Sequence, residues 1–145
     1  MAQTPQRGGP DVRQTGSWHL AYLHLAFGVR AVPALAMDCP VSGYDQVERR
    51  VTDAPSCDAS MQLLMACQLG SSSDVGVAMI VIKNSEGNFL ASLSGSARRS
   101  YERKAGACGD KFAGQEVTLF QSIRAICAAE VAHTYAIRAA KAKKQ

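Results

Sequence analysis

Glu130 is the residue whose position could most directly support chemistry. It lies within Val117 to Lys143, an Ala-rich stretch without Gly or Pro that predicts a long helix. At 100° per residue, Glu130 falls on the same arc as five other residues: Ile123, Ile126, Cys127, Thr134 and Ile137. Carboxylates are seldom buried unless they are paired or bind a metal, so Glu130 either reaches water at the rim of the core or has a specific task.

The basic residues form a second group with chemical potential. The chain has 16 Lys and Arg against 12 Asp and Glu, a net charge of +4. Much of the excess lies in two clusters: Arg98, Arg99, Arg103 and Lys104, then Lys141, Lys143 and Lys144. Such clusters permit a polyanion partner, and a solvated surface is the simpler alternative.

Five cysteines make up the third group: Cys39, Cys57, Cys67, Cys108 and Cys127. They include no CxxC pair and no His at ligand spacing, which disfavours structural zinc. Their odd number argues against a fully paired disulfide framework, so buried free thiols in a reducing, intracellular compartment are the simpler interpretation. The alternative is a secreted helical domain in which Cys108 is bridged to Cys127.

The element expected to position these groups is a β-hairpin. Val75 to Ile82 is almost continuously apolar and rich in β-branched residues, as in a strand buried on both faces. Residues 83–88 gather turn formers, and Phe89 to Ser94 alternates apolar and wetter positions. We therefore predict an α+β fold with an antiparallel hairpin sheet packed against the long C-terminal helix.

The region before the hairpin is less defined. The 145 residues suit a single domain, with residues 1–17 expected as a disordered leader and residues 18–56 as a poorly defined segment. Residues 19–36 resemble a secretory h-region ending in Ala-Leu-Ala, although Arg30 interrupts it. The same Arg30 disfavours a membrane span, so we expect no membrane association.

Two structures compete for Cys57 to Gly70. As a strand, Asp58, Ser60 and Gln62 would share one face. As a helix, Ser56 or Asp58 would cap the start and Gly70 would end it, and local propensity favours the helix.

The residues VGVAMIVIKNSEGNFLASLSG resemble the second and third strands of the ribonuclease H-like domains found in plant and retrotransposon-derived proteins. In that family, the first-strand motif carries a catalytic Asp and an A-E-x-x-A helix carries the second carboxylate. Asp58 within Cys57 to Ser60 and Glu130 after Ala129 resemble these two motifs. The resemblance implies a partial domain over residues 57–145, cut short after its first half, with a candidate insertion at 96–126.

The resemblance also implies a chemistry. Asp58 and Glu130 would be the catalytic carboxylates and would bind Mg²⁺. Two such ions, held close together by carboxylates, promote the hydrolysis of a phosphodiester by water. Arg98, Arg99, Arg103 and Lys104 would contact nucleic acid, namely an RNA–DNA hybrid or RNA. With the third catalytic carboxylate missing, we expect a nucleic-acid-binding fragment whose ribonuclease activity is weak or lost.

An alternative belongs to another class. With residues 60–69 as a helix, the element order resembles the small haem- or ligand-binding domains of the GlcG and HbpS type, which are not enzymes. Haem would need an axial ligand such as His133, and an ordinary surface histidine is the simpler interpretation.

Overall fold

The computed structural model describes residues 38–145, and these are helical and belong to one compact unit. The elements are α1 (Tyr44–Thr52), α2 (Cys57–Cys67), α3 (Ser73–Phe89), a short 3₁₀ turn (Leu90–Ser92), α4 (Gly95–Asp110) and α5 (Thr118–Ala142). None of these helices is both long and apolar enough to cross a membrane. The predictions of a disordered leader and of a secretory segment concern residues that lie outside the described part of the chain.

The predicted β-hairpin is wrong, and with it the α+β fold and the likeness to ribonuclease H domains. Val75 to Ile82 lies inside α3, the six residues expected to turn continue the same helix, and residues 38–145 contain no strand. An apolar run of eight residues also suits a helix that has neighbours on more than one side. Such neighbours exist, because α3 packs against α5 and against α1 and α2.

Helix α2 confirms the helical alternative for the ambiguous segment. Ser56 caps it, because its Oγ accepts a hydrogen bond from the backbone N of Ala59 at 3.1 Å. The helix ends at Cys67, and Gly70 takes a φ of +67° in the connection to α3. This left-handed conformation favours glycine, so the connection depends on Gly70.

Helix α5 confirms the long C-terminal helix, but not the face that packs. Its buried residues are small, and they form one stripe: Ser122, Ile126, Ala129, Ala132 and Ala136. Of the predicted arc, Ile126 is buried, whereas Thr134 and Glu130 are exposed. The small side chains allow a close approach of α3, the neighbour with which α5 makes its largest contact.

The buried side chains form two clusters along α3 and α5. The larger cluster joins α1, α2, α3 and α5 through Val51, Met61, Leu64, Val77, Ala78, Val81, Ile126 and Ala129. The smaller cluster joins α3, α4 and α5 through Phe89, Tyr101, Ala132 and Ala136. Helices α3 and α5 therefore form the spine of the bundle, and the other helices pack on it.

Two disulfides bridge the bundle, so the expectation of five free thiols is wrong. Cys39 is bonded to Cys67, which ties the segment before α1 to the end of α2. Cys108 is bonded to Cys127, which ties α4 to α5 and confirms the pairing of the secreted-domain alternative. All five cysteines lie in the described residues, and Cys57 remains free. Closing loops of 28 and 19 residues contributes on the order of 3 kcal/mol each through the unfolded chain.

Candidate functional site

Asp58 lies in the first turn of α2, an exposed position beside α5. Its Oδ1 is 3.1 Å from Nε2 of His133, and its Oδ2 accepts a hydrogen bond from Nε2 of Gln62 at 2.9 Å. The pair with His133 connects α2 to α5 and occupies the ring nitrogen that a haem iron could use. Asp58 therefore has a structural partner, and it does not lie on a strand as the family resemblance implied.

Glu130 is exposed on α5, which agrees with the alternative that it reaches water, although the arc on which it was placed is not the buried stripe of the helix. It borders a shallow cavity with Gln68 and Lys111. The reason is the choice of face: the buried stripe of α5 consists of Ile126 and small residues, and Glu130 lies outside it.

The catalytic and Mg²⁺-binding roles of Asp58 and Glu130 stay predictions, although the sheet that implied them is absent from the described residues. Residues 38–145 contain no group of three or more His, Cys, Asp or Glu side chains arranged to hold a metal ion. The haem-binding alternative through His133 likewise stays a prediction, and the strands of its fold are not found in the described part of the chain.

One buried carboxylate was missed by sequence reasoning. Asp74, in the first turn of α3, is 3% exposed. Its carboxylate accepts hydrogen bonds from the backbone N of Leu69 at 3.0 Å, from the backbone N of Ser71 at 3.1 Å and from Oγ of Ser122 at 2.6 Å. These bonds hold the α2–α3 connection and tie it to α5. A signal was present, since an acidic residue just after a serine run is typical of a helix start.

The connection held by Asp74 carries exposed apolar side chains. Six large apolar side chains are exposed in residues 38–145, and Met79 is one of them. The other five form what we call the apolar end: Tyr44, Met65, Leu69, Val117 and Leu119.

Contacts place Tyr44, Leu69 and Leu119 at the α2–α3 connection, and Met65 and Val117 are close to Leu69 and Leu119 in sequence. Tyr44 and Leu69 line the same cavity, whose volume is about 230 Å³ and whose floor includes the disulfide cysteines Cys39 and Cys67. Leu119 lies against Gly70, where a Cβ atom would come within 3.1 Å of its Cδ1. Leu69 is 80% exposed, the most of the five. The apolar end is therefore a partly open surface around a cavity, made by α1, α2, α5 and the α2–α3 connection.

An aromatic cluster lies between α3, α4 and α5, away from the apolar end. The ring centroids of Phe89, Tyr101 and Tyr135 lie 5.1 to 5.6 Å apart. The Tyr101 hydroxyl donates to Oε1 of Glu86 at 2.7 Å. Burial, then the hydrogen bond to Glu86 and the charge of that carboxylate, raise the pKa of Tyr101 well above its usual value.

The four basic residues predicted to contact nucleic acid lie on this side of the molecule. Arg98, Arg99, Arg103 and Lys104 are exposed on α4. Arg98 pairs with Glu102 at 3.7 Å, and Lys104 lies over the ring of Tyr135. Their role toward nucleic acid stays a prediction.

The fold and surface define a disulfide-bridged helical bundle with one apolar and one basic side. Comparisons with models of known protein families, with curated proteins and with solved structures found no match to this chain.

Proposed function

We propose that the protein is a binding domain that engages a partner protein through its apolar end. The observation that carries this proposal is the exposure of Tyr44 and Leu69 at one cavity, with the exposed Leu119 against the adjoining Gly70. Exposed apolar residues scattered singly are ordinary, whereas a contiguous group marks an interaction surface.

The construction of the apolar end supports this role. The Cys39–Cys67 disulfide and the Asp74 hydrogen bonds constrain the backbone on both sides of Leu69. A surface that is already ordered loses less conformational entropy when it binds. The same constraints keep Leu69 exposed, because its backbone cannot turn it inward without breaking them.

The surface also indicates the chemistry of the partner. A cavity of about 230 Å³ accommodates one or two aliphatic or aromatic side chains. Two exposed acids flank the apolar end in sequence, because Asp45 follows Tyr44 and Glu116 precedes Val117. Lys111 lines a neighbouring cavity that shares Gln68. The best complement is therefore an apolar anchor flanked by Lys or Arg.

The disulfides favour an oxidising compartment for this function. Disulfides of small domains persist in secreted and extracytoplasmic proteins, and cytosolic thiols are kept reduced. The signal-like segment at residues 19–36, which ends two residues before Asp38, fits that assignment. Mass spectrometry after alkylation tests it: protein taken from its native source should carry one blocked thiol before reduction and five after it. Five blocked thiols before reduction would contradict an oxidised protein.

The binding test uses matched substitutions. Leu69→Asp should abolish capture of the partner from the compartment in which the protein resides, because it places a charge on the most exposed side chain of the apolar end. Met79→Asp is the control, since Met79 is an exposed apolar residue outside that end. One protein retained by the natural chain and by Met79→Asp, but not by Leu69→Asp, is the expected result.

Two results would contradict the proposal. Equal capture by both variants would show that the apolar end is not the binding surface. A dimer of the chain itself, detected by light scattering and lost on Leu69→Asp substitution, would show that the surface joins two copies.

A further inference from the structure

Helices α4 and α5 run antiparallel with a defined register. The Cys108–Cys127 disulfide joins them at one level, and the Tyr135 hydroxyl reaches Oγ of Ser100 at 3.4 Å at another. Going back eight residues along α4 corresponds to going forward eight along α5. The first turns of α4 therefore lie beside the last turns of α5.

This register brings together basic residues that are distant in sequence. We define the basic end as six exposed residues of the two helices: Arg98, Arg99, Arg103, Lys104, Arg138 and Lys141. Two acids face this region from the same and neighbouring helices. Glu102 pairs with Arg98, and Glu86 of α3 accepts the Tyr101 hydroxyl. Residues 131–145 contain no Asp or Glu, so the six cations outnumber the two acids that face this region by four.

Tyr135 contacts two cations of the basic end. Nζ of Lys104 is 5.7 Å from the centroid of its ring, and Cζ of Arg138 is 5.8 Å from the same centroid. One aromatic side chain therefore holds a cation from each of the two helices. An anionic group that reached these cations would form charge-assisted hydrogen bonds with them.

We propose that the basic end binds an acidic polysaccharide. The six cations are exposed and distributed over two helices, which suits several anionic groups of an extended chain and not one enclosed small anion. The two disulfides favour an oxidising compartment, where acidic polysaccharides are more accessible polyanions than nucleic acids. This site is separate from the apolar end and does not depend on the partner protein.

The test is retention of the full, disulfide-bonded chain on immobilised heparin and on immobilised alginate, which separate sulfate from carboxylate recognition. The site variant carries Arg98→Gln, Arg99→Gln, Lys104→Gln and Arg138→Gln. The control variant carries Arg49→Gln, Arg50→Gln, Lys83→Gln and Lys111→Gln. The control residues are exposed and lie outside the basic end, so both variants lose the same charge.

We expect the site variant to bind at least about tenfold more weakly than the natural chain at low salt, and the control to bind almost as the natural chain does. The slope of log affinity against log salt should fall by about 3.6 in the site variant, because each of the four removed charges contributes roughly 0.9 on a dense polyanion. Retention on either polysaccharide with this pattern supports the proposal and identifies the anionic group.

Other results overturn it. Equal weakening by both variants would mean that net charge alone attracts the polymer. Failure of the natural chain to bind either polysaccharide at about 50 mM salt would refute the proposed site. Tighter binding to a DNA duplex at the same salt, with the same dependence on the four residues, would assign the surface to nucleic acid.

Discussion

The two ends of the bundle use their side chains in opposite ways. The apolar end exposes Leu69 and Tyr44 and is held by a disulfide and by a buried carboxylate. The basic end hides the rings of Phe89 and Tyr101 and exposes cations around Tyr135. The contrast is that the exposed apolar side chains lie where a disulfide and hydrogen bonds hold the backbone, whereas the exposed cations lie beside a buried aromatic cluster.

The largest effect should come from removing the aromatic ring under the basic end. Phe89→Ala should lower the free energy of unfolding by about 4 kcal/mol, because Phe89 is fully buried and the cavity could not collapse between three helices. Urea denaturation measures the change. Phe112→Ala, in the α4–α5 connection, is the control and should cost less, since that ring is partly exposed. Equal losses would mean that the aromatic cluster is not the support of this end.

The corresponding change at the apolar end is Asp74→Ala. It leaves two backbone N–H groups and the Ser122 hydroxyl without their acceptor, which should lower the free energy of unfolding by about 3 kcal/mol. Asp45→Ala, an exposed acid in the first turn of α1, should change it by under about 0.5 kcal/mol. Denaturation of both variants at neutral pH checks this. An Asp74 variant as stable as the natural chain would show that the disulfide alone holds the apolar end.

A smaller effect is expected from Tyr101→Phe, which should lower the free energy of unfolding by about 1 kcal/mol at neutral pH by removing the bond to Glu86. The folded-state pKa of Tyr101 is raised, so its contribution is complete below about pH 10, the pKa in the unfolded chain, and is lost as pH rises above it. The stability difference between the natural chain and the variant should therefore shrink above pH 10. A constant difference up to pH 11 or so would contradict the raised pKa.

The smallest effect should come from Glu102→Gln. Its ion pair with Arg98 is exposed, so the free energy of unfolding should change by under about 0.5 kcal/mol. Retention on heparin should nevertheless increase, because the substitution removes a negative charge beside Arg98. Unchanged retention would show that Arg98 does not contact the polymer.

Sequence alone determined the parts of this protein that depend on local structure. Val117 to Lys143 had no helix breaker, and helix α5 spans Thr118–Ala142. Ser56 has the side chain that a helix start requires, and it caps α2. The six basic residues of the basic end are also visible in the sequence, although only the α4–α5 register shows that they are neighbours.

Tertiary structure decided the rest. The run from Val75 to Ile82 suits a buried strand or a buried helix, and the choice followed from neighbours, because α1, α2 and α5 cover a helix there and the described residues offer no strand to pair with it. The face of α5 that packs depends on how closely α3 approaches, which placed alanines inside and Glu130 outside. The cysteine pairs depend on backbone distance, with Cα atoms 4.7 and 5.7 Å apart. Such distances arise only after the helices have packed, so the sequence suggested Cys108–Cys127 only as an alternative and left Cys39–Cys67 unidentified.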